Sequence, residues 1–349
     1  MSKVAEEVFF SDAFKRNEKE RYHWNREVLD ELLSMRLDYG ITALGNQSIE
    51  DVSKYLELAR KLSEHIIESG NDIVSSVIVQ AFLNAEDNER VKKLVSNVWI
   101  GLWDAPDSLN ACINSQAYYD GSFLIRFTSN LQIMIRKVVE LFVTEIFAQR
   151  FLSMLGEIPP FLTRMLSIEL HDIKNEDSEI GVKNLLDVFP ENTREVYDSI
   201  FEYAFLSGCA FVIFHEIGHQ IEDDDELAAN YGVTPSKNES NAKEMALISE
   251  YNADLISMKI IAKLFGKDEA VDWLGYAGIL LSFFALSIQE DDPTQETTHP
   301  SIQNRYFRAK QFIIESYVSD YRKEIFERTD AVAQLLTSVT NWVNKDWWK

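Results

Sequence analysis

Apolar residues recur at helical spacing along most of this chain and alternate with polar ones over one short stretch. Val52, Tyr55, Leu56, Leu58, Ala59, Leu62 and Ile66 mark a helix over 49–69, and residues 18–45 carry a weaker helical pattern. Ile73 to Leu83 and Val91 to Leu102 read as a continuation of the same helical layer. The period changes between Cys112 and Asn130. There Phe123, Ile125 and Phe127 alternate with Leu124, Arg126 and Thr128 behind an Asp120-Gly121 turn, which predicts a hairpin. Helical periodicity returns from Leu131 to Leu152, breaks before Pro159 and Pro160, and resumes from Phe161 to Leu170. The charged segment 171–192 reads as a surface excursion.

Val196 to Gln220 forms a largely apolar helix that ends in histidines and acids. Asn241 caps the next helix, with Glu244 at its third position, and that helix runs through Glu250 and Asp254 to about Leu264. Helices follow over Glu269–Ile288, Ser301–Val318 and from Tyr321 onward. The fold class expected is mainly α, with a small antiparallel β hairpin or sheet, divided into a helical N-terminal region over 1–104 and a second region over 105–349. Three tryptophans near the end, Trp342, Trp347 and Trp348, fit a docked tail.

Charge narrows the function classes. The 57 acidic residues outnumber the 34 basic ones, for a formal net charge of −23, so the protein's own field disfavours nucleic acid and anionic membranes. Two cysteines, Cys112 and Cys209, build no disulfide framework and suit a reducing compartment. The first twenty residues lack the apolar core of an export signal. Trp273 to Ile288 is uncharged but short for a lipid-spanning helix, so it reads as a buried helix. A cytoplasmic protein without a transmembrane anchor is expected. The acidic run 222–226 reads as a solvated turn.

Chemistry concentrates in His215-Glu216-x-x-His219. On a helix, i and i+4 place both imidazoles on one face a turn apart, the geometry that holds a tetrahedral zinc ion. Glu216 stands beside that face as a general base. Gly218 removes bulk between the ligands, allowing another helix or a substrate backbone to approach. The bland alternative is a satisfied pair of core histidines, at odds with the desolvation cost of two imidazoles in an apolar helix. A catalytic zinc needs a third protein ligand, and Glu250 in ISEYNAD supplies it. Asp254, one turn later, would accept from the distal ring nitrogen of a ligand histidine, His215 in first place. The alternative for both acids is a solvated helix face.

These residues resemble a family. His-Glu-x-x-His followed by Glu250-x-x-Ala253-Asp254 is similar to the gluzincin peptidases, in particular the M48-type group. Asn114-Ser115-Gln116-Ala117-Tyr118 with Gly121 and FLIRF resembles that group's hairpin, and Thr298-His299-Pro300 with Arg305 its downstream motif. The soluble phage-exclusion proteases look similar as well. The resemblance implies a zincin-like catalytic domain over 105–349 in which a strand aligns an extended protein or peptide substrate beside the metal helix. It implies that His299 and Arg305 steady the oxyanion or orient the acids around the metal, although Pro300 also suits an ordinary helix start. Strand 123–127 is then expected to turn an unpaired edge to the zinc cleft. The rival function is a catalytically silent metal-binding interaction or regulatory protein, which Glu216 argues against.

Overall fold

The computed structural model describes Val4, Ala5, Val8 and residues 73–103, 109–175, 191–239, 241–265, 269–296, 299–317 and 321–349. The helices expected over 18–45 and 49–69, and the division at 104/105, lie outside these residues. Helices α1 (Ile73–Ala85) and α2 (Glu89–Ser96) lead into strands β1 (Val98–Trp103), β2 (Ala111–Ile113) and β3 (Phe123–Thr128). Then come α3 (Ser129–Leu155), α4 (Pro160–Asn175), α5 (Glu191–Glu222), the short α6 (Asp225–Asn230) and a 3₁₀ turn at Ser236–Asn238. The chain continues as α7 (Ala242–Phe265), α8 (Glu269–Ser287), α9 (Ile302–Ser316) and α10 (Tyr321–Leu336). Among the described residues the protein is thus mainly helical with one small sheet.

The sheet runs β1-β3-β2, with β1 parallel and β2 antiparallel to β3. The expected hairpin is β2–β3, closed by Gly121 at φ 80°, and its antiparallel pairing agrees with the sequence. The expected free edge does not. β3 is the central strand, paired on both sides, because its side chains are buried on both faces: Leu124 meets Ala5 and Trp99, while Ile125 and Phe127 enter the main core. Its second partner, β1, comes from the stretch read as helix up to Leu102. VWIGLW is a continuous apolar run without alternation, so periodicity alone does not separate a buried strand from a buried helix. Among the described residues, the edge of the hairpin that pairs with no further strand is that of β2.

Helix α5 is the spine. Its span Val196–Glu222 is apolar and long enough to cross a membrane by composition, yet 67% of the most apolar window is buried within the protein, which makes it the axis of the core. Two glycine contacts set its neighbours. A Cβ on Gly278 of α8 would lie 2.5 Å from the Ala204 carbonyl oxygen of α5, so only glycine permits that crossing. A Cβ on Gly218 would lie 2.9 Å from Ala253 Cα, so α7 presses directly against the histidine-bearing turn of α5.

The C-terminal tail straps the α8–α9 connection. Trp342, Trp347 and Trp348 are buried; Trp342 Nε1 donates to the Ser287 carbonyl at 2.7 Å, and Gln303 Nε2 donates to the Trp347 carbonyl at 2.7 Å. That connection carries His299 and opens α9, where Ser301 caps the helix by accepting from the Asn304 N–H. Arg305 therefore enters the interior on an anchored helix.

Candidate metal centre

His215 and His219 project from the last turns of α5 with ring centroids 4.9 Å apart. Glu250 reaches across from α7. Its Oε2 lies 3.4 Å from His215 Nε2 and its Oε1 lies 3.6 Å from His219 Nε2. One ligand atom from each of the three side chains falls within 4.8 Å of the others, and among the described residues this is a buried group that can hold a metal ion.

The second nitrogen of each ring is already committed. His215 Nδ1 lies 2.8 Å from Asp254 Oδ1, and His219 Nδ1 lies 3.1 Å from Ser249 Oγ. Both rings therefore turn Nε2 toward Glu250, whose buried Oε2 makes no hydrogen bond. A buried carboxylate oxygen without a hydrogen bond, facing the Nε2 atoms of two imidazoles, is a set of ligand atoms that a divalent cation would satisfy at once. The residues fit a divalent metal ion.

Electrostatics describe the same arrangement. Burial and the nearby Arg305 both oppose protonation of His215, yet its hydrogen bond with Asp254 and the adjacent Glu250 carboxylate outweigh them and hold its pKa at about 9. His219 moves the other way, pushed down to about 4 by burial and then by the charge of His215. In the metal-free site one imidazole thus carries the positive charge that the acids call for. Burial would raise Glu250, but His215, Arg305 and His219 hold it down at about 2. Asp254 lies further below the carboxylate range: Arg305 and His215 overcome its burial.

Glu216 is buried beside the ligands without sharing their contacts. Its Oε2 accepts the backbone N–H of Ile113 in β2 at 2.9 Å. Burial raises its pKa to about 7, assisted by Glu250 and opposed by His215, the Ile113 N–H and Arg305. Asn110 and Asn114 direct their backbone groups to β3, accepting from Thr128 N and donating to Leu124 O respectively. By alternation Ala111 and Ile113 turn their backbone groups outward along the edge of β2. The outer edge of the sheet therefore begins at the Glu216 carboxylate.

The downstream pair separates. His299 stands at the rim, 62% exposed, with Nε2 3.5 Å from Glu250 Oε1; Thr298 of the same motif lies outside the described residues. Arg305 is largely buried and grips Asp254 with both arms, Nε to Oδ2 at 2.8 Å and Nη2 to Oδ1 at 2.7 Å. Its Nη1 is 3.8 Å from Glu250 Oε2. Arg305 thus faces the acids.

Two polar residues at this centre escaped the sequence reading. Ser249 adjoins Glu250 and meets His219, and Glu222, taken for part of a solvated acidic turn, is 1% exposed. The rest of the run is tied down at the surface: Arg90 pairs with Asp224 and Glu226, and Lys237 with Asp225 at 2.9 Å. The signal for Glu222 was its spacing, three residues after His219 and so on the same helical face.

Comparison with known proteins gives one family. Residues 172–317 match the model of the family described as Peptidase U49, a span that contains every side chain of this centre from His215 to Arg305 and leaves the sheet outside. The match supports a peptidase acting on protein or peptide. No curated protein and no solved structure matches the chain.

Proposed function

We propose, starting from the peptidase match, that this chain is a zinc-dependent endopeptidase of gluzincin type, similar to the M48-type group, with His215, His219 and Glu250 as ligands and Glu216 as general base. The observation that carries the reading is the convergence of His215 Nε2, His219 Nε2 and the Glu250 carboxylate, with each Nδ1 already held by Asp254 or Ser249. A structural zinc site closes with four protein ligands, whereas three leave a place for water and substrate. A zinc ion held there supplies a Lewis acid for the scissile carbonyl and makes water acidic enough to deprotonate near neutral pH.

The remaining work falls to the protein. Glu216, fixed by the Ile113 N–H, takes the proton from the attacking water and returns it to the departing amine. An extended peptide adds to the outer edge of β2, the edge that ends at Glu216, so backbone pairing brings its carbonyl to the base. His299, at the rim, is the side chain placed to donate to the oxyanion. Arg305 takes the second of the roles left open by the sequence: it orients Asp254, which in turn holds His215.

The test compares wild type with Glu216→Gln in full-length protein. Both should bind stoichiometric zinc, and only wild type should release peptides from a proteome digest. A Glu216→Gln variant that cleaves at the wild-type rate would refute the mechanism, and equal inactivity of both toward every substrate would favour a metal-binding interaction protein.

A further inference from the structure

Resting on the zinc reading, we infer that Ser249 and Glu222 form a relay that fixes the tautomer of His219, making them positioning residues for a ligand that Asp254 does not reach. Each ligand histidine needs an acceptor on its distal nitrogen to present a lone pair to the metal. For His215 that acceptor is a carboxylate. For His219 it is only a serine hydroxyl, 3.1 Å from Nδ1, and a hydroxyl is ambiguous because it can donate or accept.

Glu222 removes the ambiguity. Its Oε2 takes the Ser249 hydroxyl hydrogen at 2.7 Å, which leaves only lone pairs on Ser249 Oγ for His219. His219 must then carry its proton on Nδ1 and turn the Nε2 lone pair toward Glu250. The carboxylate is itself held. Glu222 Oε1 accepts the Ser236 N–H at 2.6 Å and the Asn252 side-chain amide at 3.1 Å, and Asn252 also donates to the Thr234 carbonyl at 2.8 Å. Glu222 thus joins the end of α5, the start of the 3₁₀ turn and the middle of α7 around one ring.

The geometry also specifies the informative substitutions. Ser249→Ala deletes the acceptor, and Ser249→Thr restores the hydroxyl. Glu222→Gln is more selective: its Oε1 keeps the Ser236 and Asn252 bonds, while its Nε2 donates to Ser249 Oγ. The Ser249 hydroxyl hydrogen is then free to turn toward His219 and favour the wrong tautomer.

Zinc affinity of the full-length chain, measured by competition with a chromophoric chelator, should fall about 10–100-fold in Ser249→Ala and at least several-fold in Glu222→Gln, and return close to wild type in Ser249→Thr. ¹⁵N shifts of the metal-free wild type should show His219 neutral with its proton on Nδ1, and Glu222→Gln should populate the Nε2–H form. A wild type whose His219 carries its proton on Nε2 overturns the relay whatever the variants do. So does unchanged zinc affinity in both Ser249→Ala and Glu222→Gln when His219→Ala abolishes binding. Wild type that binds no zinc refutes the underlying metal reading instead, and the relay falls with it.

Discussion

The Asp254–Arg305 pair gives a prediction whose magnitude follows from the contacts. Asp254 is buried and takes three hydrogen bonds, two from Arg305 and one from His215, and the guanidinium that supplies two of them is itself only 11% exposed. Removing one partner strands the other in low dielectric, which costs about 3–5 kcal/mol. Asp254→Asn and Arg305→Met should each destabilise the metal-free protein by about that amount, a large part of a typical stability of about 5–15 kcal/mol. The double variant leaves no stranded charge, so its loss should fall short of the sum by about 2–3 kcal/mol. Zinc affinity should separate the two residues. Asp254→Asn disturbs the acceptor on His215 and should weaken zinc about 10–100-fold, whereas Arg305→Met leaves that contact in place and should weaken it less than about tenfold. Urea unfolding of the four metal-free proteins measures the first set, and chelator competition the second. Losses that add to within about 0.5 kcal/mol would show that the pair does not couple, and equal zinc losses in the two single variants would refute the division of roles.

Two further outcomes test the frame around the site. Gly218→Ala places a Cβ 2.9 Å from Ala253 Cα and 3.0 Å from its carbonyl oxygen, backbone atoms that give way only if α7 moves. It should cost about 1–3 kcal/mol in stability and weaken zinc by shifting Glu250 against the histidines, read by thermal melts with and without metal. In the scaffold, burial raises the pKa of Glu145 on α3 from 4.5 to about 7, against the pull of Arg328 and with help from Glu324. A folded pKa above the unfolded one adds stability that is full below pH 4.5 and drains away as pH rises through about 7. Wild type should therefore lose about 3 kcal/mol relative to Glu145→Gln between pH 4.5 and 8, in urea unfolding across that range. Parallel pH profiles would contradict it.

The centre was more legible than the scaffold, for physical reasons. His215, Glu216 and His219 lie within one helix, where a spacing of four determines a shared face. Asp254 follows Glu250 by the same rule on α7. The long apolar helices α3, α5 and α7 lie where the apolar pattern put them, to within about five residues at their ends. The sheet was harder to read, because pairing joins segments distant in sequence: β1 carries no alternation, and its place beside β3 depends on a residue pairing 25 positions away, Val98 with Phe123. That hidden partner made β3 look like an edge and left β2 unnoticed as the one. Glu222 was misread because an acidic run looks solvated, whereas its first member still belongs to α5 and points inward.

Anomalous diffraction at the zinc edge from crystals of this protein would locate a zinc ion held by these three side chains. One strong peak per chain is expected about 2.0–2.2 Å from His215 Nε2, His219 Nε2 and a Glu250 carboxylate oxygen, with no fourth protein ligand. A peak coordinated by a different set of side chains, or zinc-loaded protein with no peak at this position, would contradict it.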